Sequence, residues 1–208
     1  MTEAVRHIVL RDDKLRLLVG YVGDIEVKQY DDLFRFIVCE IVGQMLSSKV
    51  KHTLVERLVA LCSGVVSPES IILVGYEGLK GIGLSYAKCR YIMTFAGNVR
   101  SGELDLSALR FLSDEDVIRV LTRQIGIGNW TAKMVLLFAL GREDVVPYED
   151  VAFQQGYKWL YEVESISKDD ILRQAQLWTP YSSMAARYIY ECVNQNLIKH
   201  STSILFNR

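Results

Sequence analysis

The sequence predicts an all-α protein. Apolar residues recur at spacings of three and four from Leu33 to Met45 and again from Met134 to Leu140, which is the pattern of helices that bury one face. No segment shows the strict alternation of apolar and polar residues that marks a half-buried strand. Helix-capping residues recur along the chain with only short connections between them. Together these observations favour a purely helical fold over a mixed one.

Capping signals divide the chain into roughly nine to eleven short helices. Four helix starts are indicated where Ser or Thr stands directly before Pro or three positions before Asp: Ser67, Ser113, Ser167 and Thr179. Three helix ends are indicated by glycines: Gly97, Gly102 and Gly141. No linker rich in Pro, Gly or Ser separates independent domains, so we expect one folded unit over residues 1–208.

The composition excludes several classes of protein. A chain of 208 residues can bury a sizeable core and needs no metal or disulfide to fold. The cysteines are widely spaced, with no C-x2-C pair and no histidine near enough to complete a zinc site, so we interpret them as reduced core residues of a cytosolic chain. They are Cys39, Cys62, Cys89 and Cys192. Charges interrupt every apolar run and no leader pattern is present, so neither a membrane span nor secretion is expected.

The charge pattern points to local rather than global attraction for an anionic partner. A formal net charge of −1 gives no overall attraction to nucleic acid. Two segments, however, contain basic residues and no acid: residues 78–102 hold four Lys or Arg, and residues 119–133 hold three. Such segments are often no more than solvated helix faces, so this pattern alone does not decide the partner.

An internal echo favours DNA as the partner. Residues 81–88 and 126–133 share the pattern G-I-G-x-x-x-A-K, and each copy opens a predicted helix. Two glycines around one aliphatic residue allow close backbone approach, and they direct free amides at the start of the next helix towards an anion such as a phosphodiester. A single copy would be read as a glycine-capped turn. Two copies, each in a basic segment without acids, favour DNA binding.

Residues 121–161 resemble the helix-hairpin-helix superfamily of DNA glycosylases, most closely the bacterial 3-methyladenine DNA glycosylase II family. The specific combination is the hairpin, then Trp130-Thr131-Ala132, then the P-x-x-D pattern of residues 147–150. The similarity extends over roughly residues 30 to 192. It includes residues 41–47 (family I-x-G-Q-Q-x-S), residues 83–85 with Lys88, and residues 178–183 with Ala185 and Ala186. The resemblance implies a minimal catalytic unit over residues 1–208, without an N-terminal β domain, built from two interleaved helical lobes with the hairpin at about 119–140.

The resemblance also implies a function. Such an enzyme acts in base excision repair: it flips an alkylated purine such as 3-methyladenine out of duplex DNA, hydrolyses its N-glycosidic bond and leaves an abasic site. We expect a monomer whose partner is double-stranded DNA, cytoplasmic and nucleoid-associated in a bacterium or archaeon, or nuclear in a eukaryote. The alternatives are a glycosylase for an oxidised or deaminated purine, a non-catalytic helix-hairpin-helix DNA-binding protein, and a helical interaction protein that binds no nucleic acid.

Asp150 is the candidate catalytic carboxylate. Glycosidic cleavage leaves positive charge on the sugar, and a carboxylate near the anomeric carbon stabilises that charge and orients a water. Asp150 follows Pro147 and precedes the periodic run that begins at Val151, so we expect it at a helix N-terminus, where backbone amides favour the ionised form. The spacing alone is equally compatible with a plain N-cap. Glu149 is the neighbour that could be mistaken for it.

The resemblance further implies a monofunctional enzyme. Bifunctional relatives carry a lysine nucleophile within the helix after the hairpin, where this chain has Trp130, and Lys133 lies nearly a full turn away. Many of them also hold an iron-sulfur cluster on four cysteines near the C-terminus, where this chain has only Cys192. We therefore expect no cofactor and no iron-sulfur cluster.

Three side chains are candidates for the base pocket. Trp130 resembles a family pocket residue and Tyr190 falls where the family often has a second tryptophan; both could stack on a cationic alkylated purine. Met134 replaces the family's pocket tyrosine, which leaves the base preference open. Each of the three could instead be an ordinary core residue.

The remaining candidates contact DNA or a cation. Met45 matches the family position of the side chain that wedges into the gap left by the flipped base, although it could be a core methionine. Ser47 and Lys49 follow it, and Lys49 together with Lys51 could reach phosphates of the opposite strand. The hairpin candidates for DNA binding are Gly126, Ile127, Gly128, Asn129, Thr131 and Lys133. By resemblance alone, the backbone carbonyls of Thr122, Gln124 and Ile127 could hold a monovalent cation, Na⁺ or K⁺, that bridges to a DNA phosphate.

Overall fold

The computed structural model describes residues 1–27 and 30–206, and this part of the chain is all-α, as predicted. It contains eleven α-helices and no strand among the described residues. The helices are α1 (Glu3–Arg11), α2 (Asp13–Val22), α3 (Leu33–Gly43), α4 (Ser48–Leu61), α5 (Pro68–Gly81), α6 (Tyr86–Ser101), α7 (Asp114–Thr122), α8 (Asn129–Met134), α9 (Val151–Tyr161), α10 (Lys168–Ala175) and α11 (Ser182–Asn194). Short 3-10 segments (Ala108–Phe111, Leu197–Lys199, Thr202–Phe206) and a π-helical segment (Val135–Ala139) complete the structure.

Three of the four predicted helix starts are confirmed. The side chains of Ser67, Ser113 and Ser167 each accept a hydrogen bond from a backbone amide in the first turn of the helix that follows. The prediction at Thr179 was wrong, because α11 begins at Ser182, whose amide donates to Asp144 Oδ1 at 3.2 Å. A partner distant in sequence thus supplies the cap that Thr179 was expected to provide.

The predicted helix ends gave a mixed result. Gly102 ends α6 in the left-handed conformation, with φ of 79°, as predicted. Gly141, with φ of 65°, follows the π-helical segment and also ends a helical stretch. The prediction at Gly97 was wrong: it lies inside α6, where a lone glycine lowers helix stability without breaking the helix.

The chain divides into two compact units. The terminal unit combines Met1–Lys28 with Gly141–Arg208, and the central unit is the continuous segment Gln29–Leu140. No helix within the described residues is long and apolar enough to cross a membrane.

In the terminal unit, α9 packs closely on α11. Gly156 makes this possible, because a Cβ at that position would overlap the backbone carbonyl of Ile189. Phe153 on α9 and Trp178 are fully buried and anchor the core of this unit. The close approach fixes the position of the N-terminal end of α9, where Asp150 lies.

In the central unit, α3 is the core helix. Its buried residues include Ile37 and Ile41, and Phe34 stacks on Phe95 of α6 with ring centroids 5.4 Å apart. The π-helical segment also packs against α3. The C-terminal end of α3 and the start of α8 are therefore held in one apolar core.

Candidate functional site

The hairpin between α7 and α8 is shaped by Gly126. Its φ of 81° is a conformation that L side chains rarely adopt, and a Cβ there would overlap the ring of Tyr91. Ile127 next to it is buried, and its amide donates to Gln124 O at 3.1 Å. The turn therefore requires a glycine at position 126 for two independent reasons.

The start of α8 exposes backbone rather than side chains. Gly128 is the N-cap residue and has no side chain to satisfy the first-turn amides. Gly128 and Asn129 are exposed and Lys133 is half-buried. Thr131 is only 1% exposed, and its hydroxyl accepts a hydrogen bond from Gln44. The side chains of Thr131 and Ile127 are therefore too buried to contact an anion, and the Ile127 amide is already used within the turn.

Two base-pocket candidates share one face of α8, four residues apart. Met134 is buried inside the central unit, whereas Trp130 is half-buried. Directly after Met134, the helix widens into the π-helical segment, where the amide of Leu140 donates to Val135 O at 2.8 Å. Such bulges are frequent at functional sites, and no motif in the sequence predicts this one.

Met45 occupies the corner between α3 and α4 and is fully exposed, at 102% of the reference area. This exposure excludes the alternative that it is a core methionine. Its φ of 58° places it in the left-handed region, which is unusual for a residue with a side chain. The corner presents a flexible apolar side chain to solvent, as a wedge between base steps requires.

The residues directly before Met45 form hydrogen bonds with two other elements of the central unit. Gln44 Nε2 donates to Gly126 O at 2.8 Å and to Thr131 Oγ1 at 3.3 Å. Lys88 Nζ donates to Val42 O at 2.7 Å and to Gln44 O at 2.8 Å. Lys88 is one of the four basic residues of segment 78–102, but its ammonium group binds these carbonyls at the end of α3 and does not face outward.

The first turn of α4 follows the corner. Ser47 is the N-cap of α4, and its hydroxyl accepts from Val50 N at 3.5 Å. Lys49 is exposed, whereas Lys51 Nζ lies 2.6 Å from Glu40 Oε1. Of the two lysines on this turn, Lys51 is engaged in an ion pair and Lys49 lies on the surface, where a phosphate could reach it.

In the terminal unit, Asp150 is the N-cap of α9. Its Oδ1 accepts from Phe153 N at 2.8 Å, and the residue is only 9% exposed. The capping alternative is therefore correct as a description of its structural role. It does not compete with a catalytic role, because a carboxylate has two oxygens and the hydrogen bond from the Phe153 amide uses one of them while it orients the group.

Tyr190 lies near the same end of α9. Its ring meets the ring of Phe153 edge-on, with centroids 6.0 Å apart, and it is half-buried on α11. Asp150 and Tyr190 therefore both contact Phe153, one through the backbone amide and the other through the ring. The terminal unit brings these two predicted site residues together.

The hairpin carbonyls have the chemistry of a site for an alkali cation. Thr122 is the last residue of α7, and Gln124 and Ile127 lie in the turn that follows. Neutral carbonyl oxygens suit a hard, weakly bound cation and not a transition metal. Among the described residues, no group of three His, Cys, Asp or Glu side chains is placed to hold a metal ion.

Sequence reasoning missed Gln44, Lys88 and Asp12 as important side chains. Gln44 and Lys88 both belong to motifs of the family resemblance, but the sequence assigns neither of them a role. Asp12 has no sequence motif that marks it, yet it is 4% exposed and accepts hydrogen bonds from Tyr161, Gln174 and Trp178. All three depend on contacts between segments far apart in sequence, for which a single sequence carries no signal.

Comparison with known proteins identifies relatives along the whole chain. Residues 38–180 match the family described as HhH-GPD superfamily base excision DNA repair protein. The chain is 32% identical over 161 residues to YfjP of Bacillus subtilis, a candidate DNA-3-methyladenine glycosylase, covering 74% of this chain but only 56% of that protein. It thus spans little more than half the length of this relative.

Two solved structures are similar over nearly their full length. One is a 3-methyladenine DNA glycosylase of Schizosaccharomyces pombe in complex with abasic DNA, with a TM-score of 0.86, 26% identity, and coverage of 93% of this chain and 97% of that one. The other is a DNA-3-methyladenine glycosidase of Bacillus halodurans, with a TM-score of 0.82, 31% identity, and coverage of 100% and 97%. The family match covers more than half of the chain, and the second structure is more than 30% identical over almost all of its length. The chain therefore belongs to the helix-hairpin-helix superfamily of base excision DNA repair proteins, among the 3-methyladenine DNA glycosylases, as the sequence predicted.

Proposed function

We propose that this protein is a monofunctional DNA glycosylase that hydrolyses the N-glycosidic bond of flipped-out alkylated purines, such as 3-methyladenine, in duplex DNA. The observation that carries the proposal is Asp150, a buried carboxylate held by an amide at the N-terminus of α9. The names of the relatives support the substrate class, since both solved structures are 3-methyladenine glycosylases or glycosidases.

Asp150 acts electrostatically in this mechanism. As the base leaves, positive charge develops on the sugar, and the carboxylate stabilises it while orienting the water that attacks the anomeric carbon. The bond to Phe153 N fixes Oδ1, so little reorganisation is needed when the charge develops. An alkylated purine is already cationic and leaves readily, so strong acid catalysis of its departure is unnecessary.

Aromatic faces suit the cationic base. Trp130 and Tyr190 are each half-buried, which leaves ring surface for stacking against a positive purine. Trp130 also occupies the place of the lysine nucleophile of bifunctional relatives. Water is therefore the nucleophile, and the product is an intact strand with an abasic site.

The central unit supplies the contacts that hold DNA. The amides of Gly128 and Asn129 receive a phosphate at the start of α8, Lys49 and Lys133 add positive charge, and Met45 fills the gap in the stack. A monovalent cation on the carbonyls of the hairpin adds a further electrostatic contact to phosphate. The partner is duplex DNA with alkylated bases, bound by a monomer that is cytoplasmic in a bacterium or archaeon and nuclear in a eukaryote.

The test is single-turnover release of 3-methyladenine from methylated duplex DNA, followed by alkali to reveal abasic sites. We expect free base from the wild type and strand breaks only after alkali. Asp150→Asn should lower the rate by at least about a hundredfold, the range seen when one electrostatic group is removed. It should still fold, because Asn is as good an N-cap as Asp.

Glu149→Gln is the matched control, since it removes the adjacent carboxylate, and it should release base at close to the wild-type rate. DNA binding by the wild type without base release would refute the proposal. Strand breaks before alkali would show that the enzyme is not monofunctional.

A further inference from the structure

The Met45 corner, residues 43–46, has more support than an ordinary helix-helix turn. The Lys88 ammonium group donates to the carbonyl of Val42, directly before the corner, and to that of Gln44 within it, and the Gln44 side chain donates to the hairpin. On the α4 side, the methylenes of Lys51 fill the space beside Gly43, where a Cβ would overlap them, on the way to Glu40. Three elements, α4, α6 and the hairpin, therefore contact the residues directly before the exposed Met45.

The support is needed because the corner is intrinsically unfavourable. Met45 adopts a left-handed conformation that a side chain disfavours, and its exposed side chain packs on nothing. The two carbonyls that Lys88 binds are those of Val42 and Gln44, on either side of Gly43 and directly before Met45. Orphan carbonyls at the end of a helix need donors, and a cation is favourable at this end of the helix dipole.

We propose that Lys88 is a positioning residue that holds Met45 in its wedge conformation and links the wedge to the hairpin through Gln44. The inference deepens the proposed glycosylase function, because it assigns how the gap-filling side chain is held before DNA binds. Burial lowers the pKa of the Lys88 amine, because it removes the ammonium group partly from water.

The arrangement has a mechanical consequence. Gly126 O accepts from the Gln44 side chain, while Gln44 O accepts from Lys88, so a single residue connects the DNA-binding turn to the lysine. Contact of the hairpin with a phosphate and insertion of the wedge therefore share one hydrogen-bonded chain. Removing Lys88 should loosen the wedge without removing any side chain that touches the base.

The test uses duplex DNA with an abasic-site analogue beside 2-aminopurine, whose fluorescence rises when the wedge unstacks it. Wild type, Lys88→Met, Met45→Ala and the double variant are compared, with Lys199→Met as the control that removes an exposed lysine elsewhere. Lys88→Met should reduce the fluorescence rise to the level of Met45→Ala, and Lys199→Met should leave it unchanged. In base release, Lys88→Met should cost roughly tenfold or more in kcat, since a displacement of about 1 Å can cost two orders of magnitude.

The double variant separates positioning from general structure. If Lys88 acts through Met45, adding Lys88→Met to Met45→Ala changes neither fluorescence nor kcat further. The inference is overturned if the double variant loses the product of the two single losses in kcat. It is also overturned if Lys88→Met shows the same fluorescence increase as the wild type. If Lys88→Met does not fold, Lys88→Arg replaces it. The planar guanidinium group should reduce the fluorescence increase in the protein that retains Met45 and have no effect in the Met45→Ala protein. An unchanged fluorescence increase, or an equal reduction in both proteins, overturns the inference.

The two proposals fail in different ways. The fluorescence assay requires no bond cleavage, so it reads the wedge even if the wild type releases no base and the glycosylase function fails. If the wild type releases base and Lys88→Met matches Lys199→Met in both assays, the proposed glycosylase function is retained and the proposed role of Lys88 is refuted.

Discussion

At the scale of single residues, Asp12 carries an unusual share of the contacts in the terminal unit. Its Oδ2 accepts from Tyr161 Oη at 2.5 Å, Gln174 Nε2 at 2.8 Å and Trp178 Nε1 at 2.9 Å. Its Oδ1 caps α2 by accepting from the amides of Lys14 and Leu15. One carboxylate thus satisfies side chains from three later parts of the chain, which is the condition for keeping a buried charge.

Replacing Asp12 should therefore be costly. Asp12→Ala leaves the buried Trp178 indole and the Tyr161 hydroxyl without this acceptor, so we expect a loss of roughly 2–5 kcal/mol in the free energy of unfolding. Asp13→Ala is the control, because that neighbour is exposed and its ion pair with Arg16 lies on the surface; it should change the free energy of unfolding by less than about 0.5 kcal/mol. Urea denaturation measures both, and equal effects would show that Asp12 is not a hub.

At the scale of elements, the two glycines of the hairpin perform different tasks. Gly126 requires a positive φ and the space taken by the Tyr91 ring, whereas Gly128 has a φ of −100° and nothing within 4 Å of a Cβ. The first glycine therefore shapes the turn. The second leaves open the space in front of the amides that begin α8.

Alanine at the two positions should separate these tasks. Gly126→Ala should lower the melting temperature, because the left-handed conformation costs an L residue about 1–2 kcal/mol and the ring of Tyr91 must also move. Gly128→Ala should melt close to the wild type while weakening DNA binding, since a methyl group then lies where a phosphate would approach. Thermal melting and a DNA titration measure both; a Gly128→Ala protein that melts lower than Gly126→Ala would contradict the assignment.

The same elements show what the sequence could predict. Ser67, Ser113 and Ser167 cap helices as expected, because capping is decided within four residues. The prediction at Thr179 was wrong because the helix begins at Ser182, whose amide donates a hydrogen bond to Asp144, 38 residues away in sequence. The kink at Gly75, with φ of 67°, and the π-helical segment likewise had no local signal. For the candidate site, motifs led to Asp150, Met45 and the hairpin, but the role of Lys88 depended on tertiary contacts.

At the scale of the whole molecule, the candidate roles are divided between the two units. The carboxylate and Tyr190 belong to the terminal unit, while the hairpin, Trp130 and Met45 belong to the central unit. A net charge of −1 gives no overall attraction to DNA, so the proposed contacts depend on these local groups. If Asp150 is the catalytic carboxylate, as proposed, the stability of the terminal unit is a condition for catalysis.

The stability of the molecule should fall at alkaline pH for a reason located in the terminal unit. Burial, reinforced by the charge of Asp12, raises the pKa of Tyr157 to about 12 and that of Tyr161 further. Burial also raises the pKa of the Cys192 thiol to about 12. These groups have higher pKa values in the folded than in the unfolded state. Their contribution to the free energy of unfolding is therefore complete below the unfolded-state pKa values and is lost as pH rises through the folded-state pKa values.

The melting temperature should therefore decline from about pH 9 upwards. The decline begins near the ordinary pKa of a cysteine thiol and becomes steeper above the ordinary pKa of tyrosine. Tyr161→Phe should be less stable at neutral pH, because it loses the bond to Asp12, but its melting temperature should fall less steeply with pH. Tyr30→Phe, at an exposed site in the central unit, should keep the wild-type slope. Thermal melts across this range decide the matter, and an unchanged slope in Tyr161→Phe would mean that the buried phenol at position 161 does not set the alkaline limit.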